Sequence, residues 1–177
     1  MEQTNNYGLN QWDQQDRILR EDFNADNAKI EAALSTIPAP VCLRTTVTET
    51  TLSRIDIDVS DIDWTRWKYV ILEAKLSGSG YATIQVNGSG NGCNYQTPGN
   101  INFQNNSLGL ISLPRKAIVQ FFPWKDAGRF ISCLVFNDIF DIGFSSKTYR
   151  EMNQISFVPP SGKTFSSGCS VTVFGIE

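Results

Sequence analysis

Carboxylates are the side chains best suited to acid–base chemistry in this sequence of 177 residues, because it contains no histidine. The absence of histidine removes the commonest general base and every Ser-His-Asp or Cys-His arrangement. Asp126, Asp138 and Asp141 are candidates for glycoside hydrolysis. That chemistry needs two carboxyl groups about 5–10 Å apart in a cleft, and nothing in their spacing singles out a pair. We therefore predict that the protein is not an enzyme and that it has no catalytic residues.

A second group of acidic residues, Asp56, Asp58, Asp61 and Asp63, has a spacing that suggests calcium. A calcium loop also needs a central glycine and a closing glutamate, and both are missing. The alternation of charged and apolar residues explains Asp56 and Asp58 as outward-facing strand residues. The four cysteines are widely spaced and form no CxxC pair, so we predict neither a metal site nor a cofactor. We expect reduced, buried cysteines, with one late disulfide as the open alternative.

Aromatic and amide side chains suggest a different chemistry, the binding of carbohydrate. Aromatic rings stack on the apolar faces of pyranoses, and amides form hydrogen bonds with sugar hydroxyls. Tyr95 lies in the segment 87–106, which is rich in Gly, Asn and Gln and is predicted to be a long polar loop. The alternative for each tryptophan is a place in or at the edge of the core. The predicted ligand-binding residues are Tyr95, Asn94, Gln96, Trp64 and Trp124.

The elements that must position these residues are strands, because polar and apolar residues alternate after Cys42. The turn residues 78–80 predict a hairpin between strands 69–76 and 81–86. Further strands are predicted at residues 54–59, 107–113, 117–122, 130–136, 139–143, 154–158 and 170–175. Short strands separated by Gly, Asn and Pro predict a mainly β fold, in which residues 39–177 form a β-sandwich domain of the jelly-roll type.

The N-terminal segment, residues 1–38, has a different period. Its apolar residues fit a seven-residue repeat, which predicts helices at 11–21 and 25–34 with a bend or a break near Phe23. Pro38 and Pro40 end the helical region and mark a linker. Asp16 and Asp26 place polar groups in the seam, and packing of the helix on its own β domain is the alternative. The residues predicted to mediate oligomerisation are Leu9, Trp12, Leu19, Phe23, Ile30 and Ile37.

Charge and hydropathy exclude two classes of partner. The sequence has 15 basic and 18 acidic residues, a net charge of −3, and no basic cluster, so no nucleic-acid partner is predicted. No run approaches the ~18–20 apolar residues of a membrane helix, so no membrane partner is predicted. The first residues lack the features of a signal peptide, and we expect synthesis in the bacterial cytoplasm.

The N-terminal segment also resembles a known family. Residues 6–12 (NYGLNQW), 20–27 (REDFNADN) and 29–34 (KIEAAL) contain a DFN-x-D-x-x-x-I-x-x-A-L core. This pattern resembles the N-terminal segment of phage and prophage tail proteins of Gram-positive gut bacteria, which are tail-fibre, baseplate-associated or minor tail proteins. The C-terminal residues 155–176 resemble the last hairpin of β domains in phage structural proteins. The resemblance implies an attachment or trimerisation segment and assembly into a virion tail.

These features together predict a phage tail structural protein that displays a β domain for binding a host-surface receptor. The more specific prediction is that this receptor is a carbohydrate. The expected partners are further copies of the chain in a trimer, other tail proteins and a host-surface glycan. One alternative is a tail-associated enzyme that degrades polysaccharide, and another is a cellular carbohydrate-binding module. The enzyme would need a pair of carboxylates, and the cellular module would need a neighbouring catalytic domain and a secretion signal.

Overall fold

The computed structural model describes residues 2–17, 19–97, 99, 104–137 and 140–177. The chain divides into two compact units, Met1–Ala39 and Pro40–Glu177. Strands account for 49% of the described residues and helix for 13%, which confirms the prediction of a mainly β fold. In the described part of the chain, the helical stretches are too short and too polar to cross a lipid bilayer.

The N-terminal unit contains a small antiparallel pair, β1 (Glu2–Gln3) with β2 (Asn10–Gln11), followed by the helix α1 (Arg20–Ser35). The prediction of a helix at 11–21 is therefore wrong, and the described residues of this unit contain no long N-terminal helical segment. Local side-chain bonds explain the difference: Asp16 accepts a hydrogen bond from the backbone N–H of Asp13 at 2.9 Å. Such bonds offer the backbone an alternative to the helix.

Two residues of α1 form hydrogen bonds with the backbone of the β1–β2 segment. Asp26 Oδ2 accepts a hydrogen bond from the Asn10 backbone N–H at 2.9 Å, and the Lys29 ammonium group donates to the carbonyl of Gly8. Asp26, which the seven-residue repeat placed in an oligomerisation seam, is thus used within its own unit.

The helix α1 covers the predicted stretch 25–34 and continues through Phe23 without a break. None of its residues is buried, and its apolar side chains are open to solvent: Phe23 is 59% exposed and Ile30 43%. Of the other predicted oligomerisation residues, Leu19 and Ile37 are exposed, whereas Leu9 and Trp12 are half-buried. These side chains are available for contact with other chains, and their role in oligomerisation stays a prediction.

The described residues of the C-terminal unit form ten strands and two short 3-10 turns. In chain order these elements are β3 (Val41–Val47), β4 (Ile55–Asp58), a turn (Trp64–Arg66), β5 (Tyr69–Val86), β6 (Cys93–Gln96), β7 (Gln104–Asn105), β8 (Leu110–Phe121), β9 (Phe130–Phe136), β10 (Phe140–Thr148), a turn (Tyr149–Glu151), β11 (Gln154–Val158) and β12 (Ser170–Ile176). The first residue of the predicted strand 139–143, Ile139, lies outside the described residues.

The strands are antiparallel and follow the order β3-β12-β5-β8-β9-β10-β6-β7. In addition, β11 pairs with the second half of β5, and β4 pairs with β11. The predicted hairpin at 78–80 is wrong, because this segment is an irregularity within the single long strand β5. Its partner β8 likewise merges the predicted strands 107–113 and 117–122. The register between them shifts at the same place, between Leu76 and Gly80, and Gly80 takes a left-handed backbone conformation (φ +89°) there.

Alternation along the strands places one face of the sheet in the core. In β9 the residues Ile131, Cys133 and Val135 are buried, and their neighbours point to the opposite face. In β12 the inward-facing Gly175 lies against Trp67, because a Cβ atom built on Gly175 would be 2.5 Å from the Trp67 ring. The indole therefore occupies the space that a side chain at position 175 would need.

Candidate functional site

The predicted ligand-binding residues lie in three different environments. Trp64 is 4% exposed and belongs to the core, where its ring centroid is 5.3 Å from that of Tyr149. Its Nε1 donor has no hydrogen-bond partner among the described residues. Because Trp64 is buried, neither face of its ring is open to a ligand. Its position agrees with the alternative that this tryptophan is a core residue.

Trp124 is 44% exposed and forms a surface cluster with Tyr69 and Phe122. Its ring stacks on Phe122 with centroids 6.2 Å apart, and its backbone takes a left-handed conformation (φ +53°). The next peptide N–H, that of Lys125, donates to the carbonyl of Trp67 at 2.9 Å and holds this turn against the sheet. The cluster is an exposed aromatic surface, separate from the residues that line the cavity described below.

Tyr95 does not lie in a loop, because residues 93–96 form β6, which pairs with β10. Tyr95 is 7% exposed, whereas a long polar loop would have left its ring open to solvent. Its neighbours Asn94 and Gln96 are half-buried and point to the opposite face of the strand, since successive side chains alternate. The predicted polar loop is thus divided by strands; Pro98 and residues 100–103 lie outside the described residues.

Close to Tyr95, the structure contains a cavity of about 330 Å³ that we call the Asp141 cavity. Its walls come from β5, β8 and β10, from Thr97 after β6 and from Asn137 after β9. The lining residues are Gly80, Tyr81, Thr97, Leu110, Ser112, Asn137 and Asp141. Tyr81 is 46% exposed, so its ring is open to solvent at the edge of the cavity.

Asp141 is the charged residue of this cavity and is 1% exposed. One carboxylate oxygen accepts a hydrogen bond from the Thr97 hydroxyl at 2.6 Å, and the other accepts from the Leu110 backbone N–H at 2.9 Å. A carboxylate has about four acceptor positions, and these two bonds to described residues use two of them. The Asn137 side chain donates to the carbonyl of Leu110 at 2.5 Å, so both polar groups of Leu110 are bound to side chains of the cavity.

The Tyr95 hydroxyl lies close enough to Asp141 and Tyr81 for their charges to affect its pKa. Burial is the main cause that raises the pKa of the Tyr95 hydroxyl, and the negative charge of Asp141 and the nearby Tyr81 add to it. The Tyr95 hydroxyl is therefore protonated at neutral pH and able to donate. The cavity combines a carboxylate, an amide, hydroxyls and an open aromatic ring, which are the groups that recognise sugars.

The structure does not assemble a catalytic pair among the described residues that line this cavity, since Asp141 is the one carboxylate there. Asp126 lies on an exposed turn, where it accepts a hydrogen bond from the Gly128 N–H at 2.8 Å. Asp138, the third candidate, lies outside the described residues.

The aspartate series that suggested calcium is engaged in local bonds. Hydrogen bonds from Ser60 lower the pKa of Asp58, and those from Thr65 lower the pKa of Asp63. Asp56 pairs with Arg54 at 2.7 Å, and Asp61 pairs with Arg44 at 2.6 Å. Within the described ranges, no group of three or more His, Cys, Asp or Glu side chains is placed to hold a metal ion. The four cysteines are free thiols, of which Cys42 is exposed.

Sequence reasoning missed most of the cavity. Tyr81, Thr97, Ser112 and Asn137 were not singled out, and Asp141 was named only as a catalytic candidate. A usable signal was present at Asp141, a single acidic residue within the apolar stretch Phe140–Phe144 of a predicted strand. An acidic side chain on the buried face of a strand needs partners there.

Comparisons of this chain with protein-family models, with curated proteins and with solved structures found no match.

Proposed function

We propose that this protein is a structural component of a phage or prophage tail, and that its β unit binds a host-surface carbohydrate without catalysing a reaction. The observation that carries the binding function is the Asp141 cavity, with its buried carboxylate and exposed Tyr81 ring. The tail assignment rests on the resemblance of residues 6–34 to tail proteins. In this proposal the β unit is a sandwich of the jelly-roll type.

The cavity suits a ligand rich in hydroxyl groups. The Asp141 carboxylate only accepts hydrogen bonds, whereas Asn137 and Ser112 can both donate and accept. Sugar hydroxyls match both kinds of partner. The volume of about 330 Å³ is at the lower end of the range for ligand sites, roughly 300–1,000 Å³, which favours one or two sugar rings.

The ring of Tyr81 gives the first test. We expect Tyr81→Ala to weaken binding to the host glycan by about two- to tenfold, because stacking of an aromatic ring contributes on the order of 0.5–1.5 kcal/mol. The wild-type chain is first screened against host cell-wall glycans, and the affinity for the best ligand is then measured by calorimetry for each variant.

Trp124→Ala is the matched control, since Trp124 is equally exposed but belongs to the separate surface cluster. Its affinity is expected to equal that of the wild type. If Trp124→Ala lost binding and Tyr81→Ala kept it, the ligand would bind at the surface cluster around Trp124 and not at the Asp141 cavity. Failure of the wild-type chain to bind any host glycan would contradict the proposed function.

The assembly part of the proposal concerns the exposed apolar residues of α1. We expect the wild-type chain to be a trimer and the double variant Phe23→Glu/Ile30→Glu to be a monomer, because two charges would replace exposed apolar contacts. Light scattering measures the mass against the 19.8 kDa of one chain. Ala25→Glu, at another exposed position of α1, is the control and should remain trimeric. A monomeric wild-type chain would rule out trimerisation through α1.

A further inference from the structure

We propose that the carbohydrate bound by this protein is anionic, and that a groove beside the Asp141 cavity binds its negatively charged groups. This inference rests on the proposed carbohydrate-binding function. The groove has a volume of about 740 Å³ and lies along β5 and β8, with walls from β9 and β12. We call it the lysine groove, after Lys75 and Lys116.

The two lysines lie directly opposite each other in the register of β5 and β8. Both are exposed, and side chains at such positions have Cβ atoms about 4.5–5.5 Å apart. Like charges directly opposite each other destabilise a strand pair. The ion pairs of the described residues include neither lysine, so no carboxylate there lies within 4.0 Å of either ammonium group. An external anion between them would offset the repulsion.

The charge of the lysine groove differs from that of the whole chain. Its lining includes the two cationic side chains Lys75 and Lys116 and one acidic side chain, Glu73. The chain as a whole has a net charge of −3. The groove is thus a local positive region on an acidic protein, and such a region attracts an anionic ligand.

The floor and walls of the groove favour a glycan over an acidic polypeptide. Phe136 is 40% exposed and lies opposite Ile118 in the strand register, so an aromatic ring is available for a sugar face. Ser170 and Thr172 add hydroxyl groups to the wall.

The lysine groove and the Asp141 cavity are neighbours, because Asn137 lines both. A single polymer can therefore place one sugar unit beside Asp141 and a charged unit beside the lysines. The buried carboxylate of Asp141 selects hydroxyl donors and repels anions, while the lysines attract anions, so the two regions distinguish neutral from charged units of one chain.

The test compares ligands that differ in charge alone. The full chain is titrated with an oligogalacturonate and with its methyl ester, which has the same backbone without the charge. A poly(glycerol phosphate) distinguishes phosphate from carboxylate as the source of charge, and poly-glutamate represents an acidic polypeptide. We expect the oligogalacturonate to bind at least tenfold tighter than its neutral ester, with an affinity that falls as salt rises.

Matched variants assign this preference to the groove. Lys75→Gln/Lys116→Gln should bind the charged polymer about tenfold more weakly and lose most of the salt dependence, and Lys75→Arg/Lys116→Arg should retain both. Lys163→Gln removes an equally exposed charge outside the groove and should change neither. Because the lysines are exposed, thermal unfolding of the double variant is expected to match or exceed that of the wild type.

Each other outcome overturns the inference. Equal affinity for the charged and neutral polymers, or an unchanged preference in the glutamine variant, would show that the lysines do not select charge. Poly-glutamate binding as tightly as the anionic glycans would assign the groove to a protein partner. Tight binding of neutral glycans that is lost in Tyr81→Ala would refute the anionic ligand while leaving the proposed carbohydrate function intact.

Discussion

Tyr149→Phe is expected to lower the free energy of unfolding by about 1–2 kcal/mol, because the phenol hydroxyl binds three partly buried backbone groups. Its oxygen accepts hydrogen bonds from the N–H groups of Phe122 at 2.9 Å and Ser132 at 3.3 Å. It also donates to the carbonyl of Ser132 at 2.8 Å. These bonds use the full capacity of a hydroxyl group, one donor and two acceptors. They join the end of β8 to the start of β9.

Urea unfolding of the two proteins, followed by tryptophan fluorescence, measures this difference. Tyr7→Phe is the control, since Tyr7 is 62% exposed and its hydroxyl is available to water. That variant should unfold with the wild type. A change of less than about 0.5 kcal/mol in Tyr149→Phe would mean that the three bonds contribute little beyond what water supplies.

The same residue predicts a loss of stability at alkaline pH. Burial raises the pKa of Tyr149 from 10.0 to about 12. Between these two values the unfolded state has released the proton and the folded state still holds it, so stability falls as pH rises. The slope is about 1.4 kcal/mol per pH unit from this residue. Chemical unfolding from pH 9 to 12 should show this additional slope in the wild type and not in Tyr149→Phe. Parallel curves for the two proteins would refute the assignment.

Asp141→Ala is expected to weaken glycan binding by about tenfold or more, since hydrogen bonds to a charged group contribute roughly 1.5–3 kcal/mol. It should also lower the free energy of unfolding by about 1–3 kcal/mol. The stability loss arises because the Leu110 N–H and the Thr97 hydroxyl lose their acceptor in a region where Asp141 is 1% exposed.

Asp141→Asn separates the two effects. Its amide oxygen can still accept from Leu110, and its amide nitrogen can donate to the Thr97 hydroxyl, so stability should stay within about 1 kcal/mol of the wild type. Glycan affinity should fall by about tenfold because the charge is lost. Calorimetry and urea unfolding give the two values. Asp126→Asn, on an exposed turn, is the control, and wild-type affinity in Asp141→Asn would show that the carboxylate does not contact the ligand.

Local periodicity by itself determined the mainly β fold and several strands. The predicted strands 130–136 and 154–158 coincide with β9 and β11, because alternation of polar and apolar residues is a property of the strand itself. The helical stretch 25–34 was also predictable, since helix-forming residues depend mainly on near neighbours in the chain.

Tertiary contacts decided the secondary structure of two segments that local patterns did not predict correctly. Residues 11–17 contain helix-forming types, yet side-chain bonds such as those of Asp16 and Asp26 stabilise turns and a strand pair instead. The polar segment around Tyr95 became a strand because β10 pairs with it. Gly143, opposite Tyr95, has no side chain and so allows the close approach of Leu108 and Cys133.

The candidate site depended most on tertiary structure. Tyr81 lies on β5, Asn137 follows β9 and Asp141 lies on β10. Only the strand order and the register shift between β5 and β8 bring them to one cavity. A sequence shows which residues alternate along one strand. It does not show which strands become neighbours, because pairing is set by long-range packing of the whole core.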